Sequence, residues 1–142
     1  MTREFIPYKQ SLALKELGFD EPCIGYYNKE TNWGLCWSSN SIQPYNHNNP
    51  EKYGNISAPL YQQAFRWFRE KYGLVGLIDI GSQEFSYDVY NTNEDVSELG
   101  LSKISYNGTH EEAELACLNK LIELVKQNSY DTRSKIVRSY VR

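Results

Sequence analysis

The segment running from Ala58 to Tyr90 reads APLYQQAFRWFREKYGLVGLIDIGSQEFSYDVY, and it changes period half-way along. Up to Gly73, apolar residues recur at helical spacing: Leu60, Tyr61, Ala64, Phe65, Phe68 and Tyr72 form one stripe, with Arg66, Arg69, Glu70 and Lys71 away from it. Ser57 stands at an N-cap position, Pro59 suits a first turn, and Gly73 sits where a helix stops, so the reading is a helix over 58–72. Trp67 falls at the edge of the stripe and is expected to be partly exposed. Beyond Gly73 the period becomes two. Val75 to Ile80 is a strand-like run, Gly81-Ser82-Gln83 is a turn, and Phe85, Tyr87 and Val89 alternate with Ser86, Asp88 and Tyr90, the first three facing a core. A helix followed at once by an antiparallel hairpin points to an α+β fold.

The flanks add the same kinds of element. Upstream, Pro7 opens and Gly18 closes a short helix carrying Tyr8, Leu12, Ala13, Leu14 and Leu17. The runs Cys23–Asn28 and Trp33–Trp37, separated by Lys29-Glu30-Thr31-Asn32, predict a first hairpin that places Tyr26, Tyr27, Trp33 and Trp37 on a small sheet. Residues 38–55 hold Pro44, His47, Pro50 and Gly54 without a sustained period. Long loops of this kind are usually functional or disordered, and Tyr45 and Tyr53 are expected to fold over a pocket. Downstream, Asn91–Glu98 is an acidic loop and Leu101–Tyr106 supplies an edge strand. Thr109-His110-Glu111-Glu112 has capping-box spacing, predicting a helix to about Gln127 with Ala113, Ala116, Cys117, Leu121, Leu124 and Val125 on its apolar face. The expected architecture is a small antiparallel sheet made of two hairpins packed against two or three helices. Residues 1–128 are read as one domain, and 129–142 as a basic amphipathic extension that docks or dimerises through Ile136, Val137, Tyr140 and Val141.

Composition narrows the function. The chain has 142 residues, enough to bury a core without disulfides or a structural metal. Its net charge of -3 argues against general nucleic-acid binding, which needs a basic footprint to release counterions. Cys23, Cys36 and Cys117 are odd in number and lack CxxC spacing, so they read as reduced thiols rather than as disulfides or a zinc site. No apolar stretch approaches the roughly 20 residues of a membrane span, and a cytoplasmic location is expected. Phosphate-loop, dinucleotide, zinc-protease, hydrolase-elbow and calcium-loop patterns do not occur in the sequence, so no cofactor or metal is called for.

Twelve Tyr, five Phe and three Trp make aromatic area the main resource of the chain. His47 has no acidic or thiol neighbour in sequence, and His110 is explained by the helix start. Asp79 and Asp88 form a carboxylate site only if the second hairpin sets them face to face. The stronger signal is aromatic and cationic: Trp33 and Trp37 on the first hairpin, Tyr45 in the loop, and Arg66, Trp67 and Arg69 on the helix. Aromatic faces stack bases and Arg forks grip phosphates, so these six are the candidate ligand-binding residues, with no catalytic residue among them.

Three segments carry a resemblance: FIPYKQSLALKELGFDEPC from Phe5, APLYQQAFRWFREKYG from Ala58 and EEAELACLNKLIELVK from Glu111. Together they cover well under half of the chain. They resemble an uncharacterised family of small proteins of Bacteroidetes bacteria, their phages and mobile elements. The resemblance implies a phage accessory role such as countering host defence, and no residue-level activity. The leading expectation is a non-catalytic binding protein that sequesters a nucleotide-like host signal; the alternative is a protein-protein adapter or inhibitor acting through exposed aromatics and the C-terminal tail.

Overall fold

The computed structural model describes residues 2–37, 43–49, 54–82, 84–93, 104–106 and 108–140, with side chains as far as residue 129 apart from those of residues 2 and 104–106. Its class is α+β, with helices α1 (Tyr8–Glu16), α2 (Tyr61–Tyr72) and α3 (His110–Tyr140) among antiparallel strands. The chain forms two compact units, Met1–Arg66 and Trp67–Arg142, and the division falls inside α2. Each hairpin builds its own sheet.

In the first unit, strands β1 (Gly25–Asn28), β2 (Gly34–Trp37) and β3 (Ile56–Ala58) lie in the order β2-β1-β3. Helix α1 begins after Pro7, whose carbonyl accepts from Ser11 N–H at 2.9 Å, and ends where Gly18 takes a φ of 90°. Phe19 N–H then reaches back to the Leu14 carbonyl at 2.9 Å, and both side chains are buried. This is the Schellman closure that a glycine after the last turn permits. Phe5, Tyr27, Ile56 and Ala58 form the core on one face of the sheet, flanked by Tyr8, Leu12, Trp33, Leu35 and Leu60. The Tyr27 hydroxyl, buried there, donates to the Ile6 carbonyl at 2.8 Å. Gly25 is required in β1 because a Cβ at that position would stand 2.5 Å from the Phe5 ring.

Two expectations are corrected in this unit. Trp33 lies in the hairpin connection and not on the sheet: Lys29–Thr31 makes a 3-10 turn, Asn32 and Trp33 follow with φ of 53° and 62°, and Trp33 N–H closes onto the Asn28 carbonyl at 2.8 Å. The aromatic contact with Tyr8, ring centroids 5.2 Å apart, holds Trp33 in a backbone region that bulky residues rarely visit. Second, residues 56–58 are a strand, so α2 starts at Tyr61 and not at Ala58. Ile56 and Ala58 bury their side chains beside β1, and that ladder outweighs the capping preference of Ser57. The Leu60 carbonyl accepts the first helical bond, from Ala64 at 3.0 Å.

The second unit holds a sheet in the order β4-β5-β6, with β4 (Leu74–Ile80), β5 (Phe85–Asn91) and β6 (Ile104–Tyr106). Gly73 stops α2 at a φ of 68°, as its position predicts. The hairpin turns at the expected place, with Gly81 N–H on the Glu84 carbonyl at 2.8 Å, and β6 pairs along the outside of β5. Tyr87 and Val89 are buried, and α3 packs against β5 and β4 through Ala113, Cys117, Leu121 and Val125. The capping box is present as a reciprocal pair: Thr109 N–H donates to Glu112 Oε2 at 3.1 Å, and Glu112 N–H to Thr109 Oγ1 at 3.3 Å. The helix does not end near Gln127 but continues to Tyr140, because neither Gly nor Pro interrupts the backbone there. Among the described residues no helix is long and apolar enough to cross a membrane. The acidic loop beyond Asn93, Tyr53 and the side chains of Ile136, Val137, Tyr140 and Val141 lie outside the described residues.

Candidate functional site

Cross-strand partners share a face of an antiparallel sheet, so the register sorts the aromatics of the first unit. Gly25 pairs with Trp37 and Ala58, which puts Trp37 on the core face, its ring 6.1 Å from Phe5. Tyr26 pairs with Cys36 and Ser57 on the opposite face. There the His47 imidazole lies flat against the Tyr26 ring, centroids 4.2 Å apart at an interplanar angle of 19°. Tyr45 meets the same imidazole edge-on at 5.3 Å and is 38% exposed. The three rings make a fixed aromatic platform.

The platform is held by backbone and amide bonds. Tyr45 and Cys23 exchange backbone bonds of 2.9 and 3.1 Å, and His47 N–H donates to Ser57 Oγ at 3.0 Å. Asn48 is buried behind it, donating from Nδ2 to the Phe19 carbonyl at 2.8 Å and accepting Ser57 N–H on Oδ1 at 2.9 Å. A polar chain continues from Cys23 towards α2. Cys23 Sγ donates to Gln63 Oε1 at 3.6 Å, and Gln63 Nε2 donates to Glu21 Oε2 at 3.2 Å and to the Pro22 carbonyl at 2.9 Å. The half-exposed Arg66 guanidinium bonds the same Glu21 oxygen from Nη2 at 3.2 Å.

Electrostatics limits the chemistry of these groups. Burial, assisted by the nearby Glu21 carboxylate, pushes the Cys23 thiol up to about 12, so it is protonated at neutral pH and unsuited to nucleophilic attack. Cys117 is likewise pushed up to about 12 by burial and by Glu114 and Asp88. Burial holds His47 below its usual value of 6.5, which keeps the imidazole neutral in the stack. The unfolded chain therefore takes a proton at His47 more readily than the folded chain does. Stability contributed by the neutral ring is complete above 6.5 and falls away as pH drops below that value through the folded pKa. Melting curves at about pH 7.5 and about pH 5 should show a smaller acid-side loss for His47→Phe than for the wild type; equal losses would mean that His47 is solvated in the folded state. Burial raises Glu114, which acts in the opposite sense and is common to both proteins.

The four predicted ligand-binding residues of the first unit are not brought into one cluster. Trp37 belongs to the core face of the first sheet and Trp33 packs against the same core from the hairpin connection, whereas Tyr45 stands on the other face with Arg66 linked to it through Cys23, Gln63 and Glu21. Trp67 and Arg69 belong to the second unit. Trp67 is 4% exposed, not partly open as its place on the stripe suggests, because Phe68 and Tyr72 meet it edge-on at 5.1 and 5.4 Å and Lys71 Nζ lies 4.9 Å from its ring. Arg69 is exposed. The second-hairpin carboxylates are diagonal and not opposed, since Asp79 pairs with Ser86 and Asp88 with Leu77. No group of three metal-ligating side chains occurs among the described residues.

No family model, curated protein or solved structure matches this chain. The site therefore rests on its own geometry. Sequence reading left out Tyr26, Glu21, Gln63 and Asn48. Only Asn48 had a local signal, since Asn46-x-Asn48 is an Asx-turn spacing and Asn48 N–H does donate to Asn46 Oδ1 at 3.0 Å.

Proposed function

We propose that this protein is a non-catalytic binding protein that stacks a planar, nucleotide-like ligand on the Tyr26–His47–Tyr45 platform, with Arg66 receiving an anionic group. The observation that carries this reading is the neutral imidazole laid flat on Tyr26 beside the exposed Tyr45 ring. A pre-organised aromatic surface binds a base without ordering its own side chains first. The guanidinium fork of Arg66 suits phosphate, and its ion pair with Glu21, which Gln63 also bonds, connects it to the Cys23–Tyr45 bridge of the platform. The buried thiol of Cys23 offers no competing reaction. Together with the family resemblance, this supports sequestration of a host nucleotide signal by a phage-encoded protein.

Titration calorimetry against a panel of nucleotides and cyclic nucleotides tests the proposal. One of them should bind, and Tyr45→Ala should weaken that binding by roughly 5- to 100-fold, the loss of one stacking partner. Arg66→Ala should weaken the charged ligand and leave the uncharged nucleoside unchanged. A panel in which nothing binds would sink the reading. It would favour the second one, a protein-protein adapter, for which the 39% exposed Trp37 supplies a surface aromatic anchor. Deletion of Ser129–Arg142 separates the two, because the platform lies wholly within the first unit, whereas a partner held by the tail would be lost.

A further inference from the structure

Backbone parity exposes a different surface, in the second unit. Thr92 N–H bonds the Gly73 carbonyl at 2.8 Å and Gly81 N–H bonds the Glu84 carbonyl at 2.8 Å, which fixes both ends of the β4–β5 ladder. Hydrogen-bonded pairs recur every second residue in an antiparallel ladder. Val75, Leu77 and Asp79 therefore spend their backbone groups on β5, and Leu74, Gly76, Ile78 and Ile80 direct theirs outward. No strand lies on that side of β4 among the described residues. The register from Leu74 to Ile80 is unbroken, so no bulge bends the edge, and the strand has neither Pro nor Lys to blunt it. Leu77 and Ile80 are 50% and 72% exposed.

We propose that the outer edge of β4 pairs antiparallel with β4 of a second copy of this chain, about a two-fold axis at Leu77. An open strand edge is a row of amide donors and acceptors, and its chemical complement is another extended backbone. The strand is self-complementary in this register. Gly76 of one copy and Ile78 of the other exchange both backbone bonds, twice over by symmetry. Leu77 meets Leu77 in the closer, non-hydrogen-bonded type of pair, and Ile80 lies beside Leu74. Asp79, the one charge on the strand, falls opposite Val75 and not opposite itself, so no like charges face each other. Asp79 Oδ1 also accepts the Ile80 N–H at 2.9 Å, which satisfies the outward donor at the tip and confines the pairing to the four central bonds.

The axis at Leu77 gives the test, because any side chain placed there meets its own copy. Sedimentation equilibrium should find the wild type in a monomer–dimer equilibrium, unchanged by deletion of Ser129–Arg142. Leu77→Lys and Leu77→Glu should each be monomeric, with unaltered circular dichroism because the position is solvent-exposed. An equimolar mixture of the two variants should recover a heterodimer. A monomeric wild type, a dimer that survives both substitutions, or a mixture that stays monomeric would overturn the proposal.

Discussion

Trp67→Ala should destabilise the protein by about 3–5 kcal/mol in urea denaturation, the range for truncating a buried aromatic to Ala. The indole is 4% exposed, with the Phe68 and Tyr72 rings edge-on to it, so its removal opens a cavity that rigid neighbours cannot close. Lys71 loses the ring that its ammonium covers at the same time. Trp67→Phe should recover part of the loss by keeping a ring in place. A change under about 0.5 kcal/mol for Trp67→Ala would mean that the indole is a surface group, and would return Trp67 to the set of ligand contacts.

Asn48→Ala should cost about 2–4 kcal/mol, although it removes only a small polar side chain. The amide bonds the Phe19 carbonyl and the Ser57 N–H at once, and truncation removes both buried hydrogen bonds. Asn48→Asp keeps the acceptor for Ser57 but sets a carboxylate against the Phe19 carbonyl, so it should not rescue stability. Because Ser57 Oγ in turn receives His47 N–H, the same substitution should loosen the aromatic platform and weaken any ligand held there. Asn46→Ala, which removes only the local turn bond, should cost much less. Equal stability of Asn46→Ala and Asn48→Ala would show that Asn48 acts only within its own loop.

These two residues illustrate where reading the sequence succeeds and where it stops. Trp67 is assigned to a helix from spacing alone, but spacing at the edge of a stripe does not say whether neighbouring rings close over it. Asn48 sits in a stretch without periodicity, and its role depends on Phe19 and Ser57, 29 and 9 residues away. Tyr26 and Tyr27 are adjacent aromatics of equal appearance. One faces the platform and the other the core, and only the pairing of β1 with β2 and β3 decides which.

The features that the sequence determined by itself are local. The Thr109–Glu112 capping box, the Gly18 and Gly73 stops, the β4–β5 hairpin and the α+β class depend on residues a few positions apart, whose steric and hydrogen-bonding preferences act within one turn or one strand pair. Strand β3, the left-handed Trp33, the burial of Trp67 and the union of Tyr26, Tyr45 and His47 belong to the tertiary structure alone. Strand β3, the left-handed Trp33 and the aromatic union arise because a distant segment offers a better partner than the local one, whereas Trp67 is closed over by Phe68, Lys71 and Tyr72 of its own helix. Backbone pairing with β1 overrides the cap preference of Ser57, and ring packing on Tyr8 holds Trp33 against its own backbone preference. Local preferences are worth a few tenths to about 1 kcal/mol, and the burial of an aromatic or the pairing of a buried strand exceeds them.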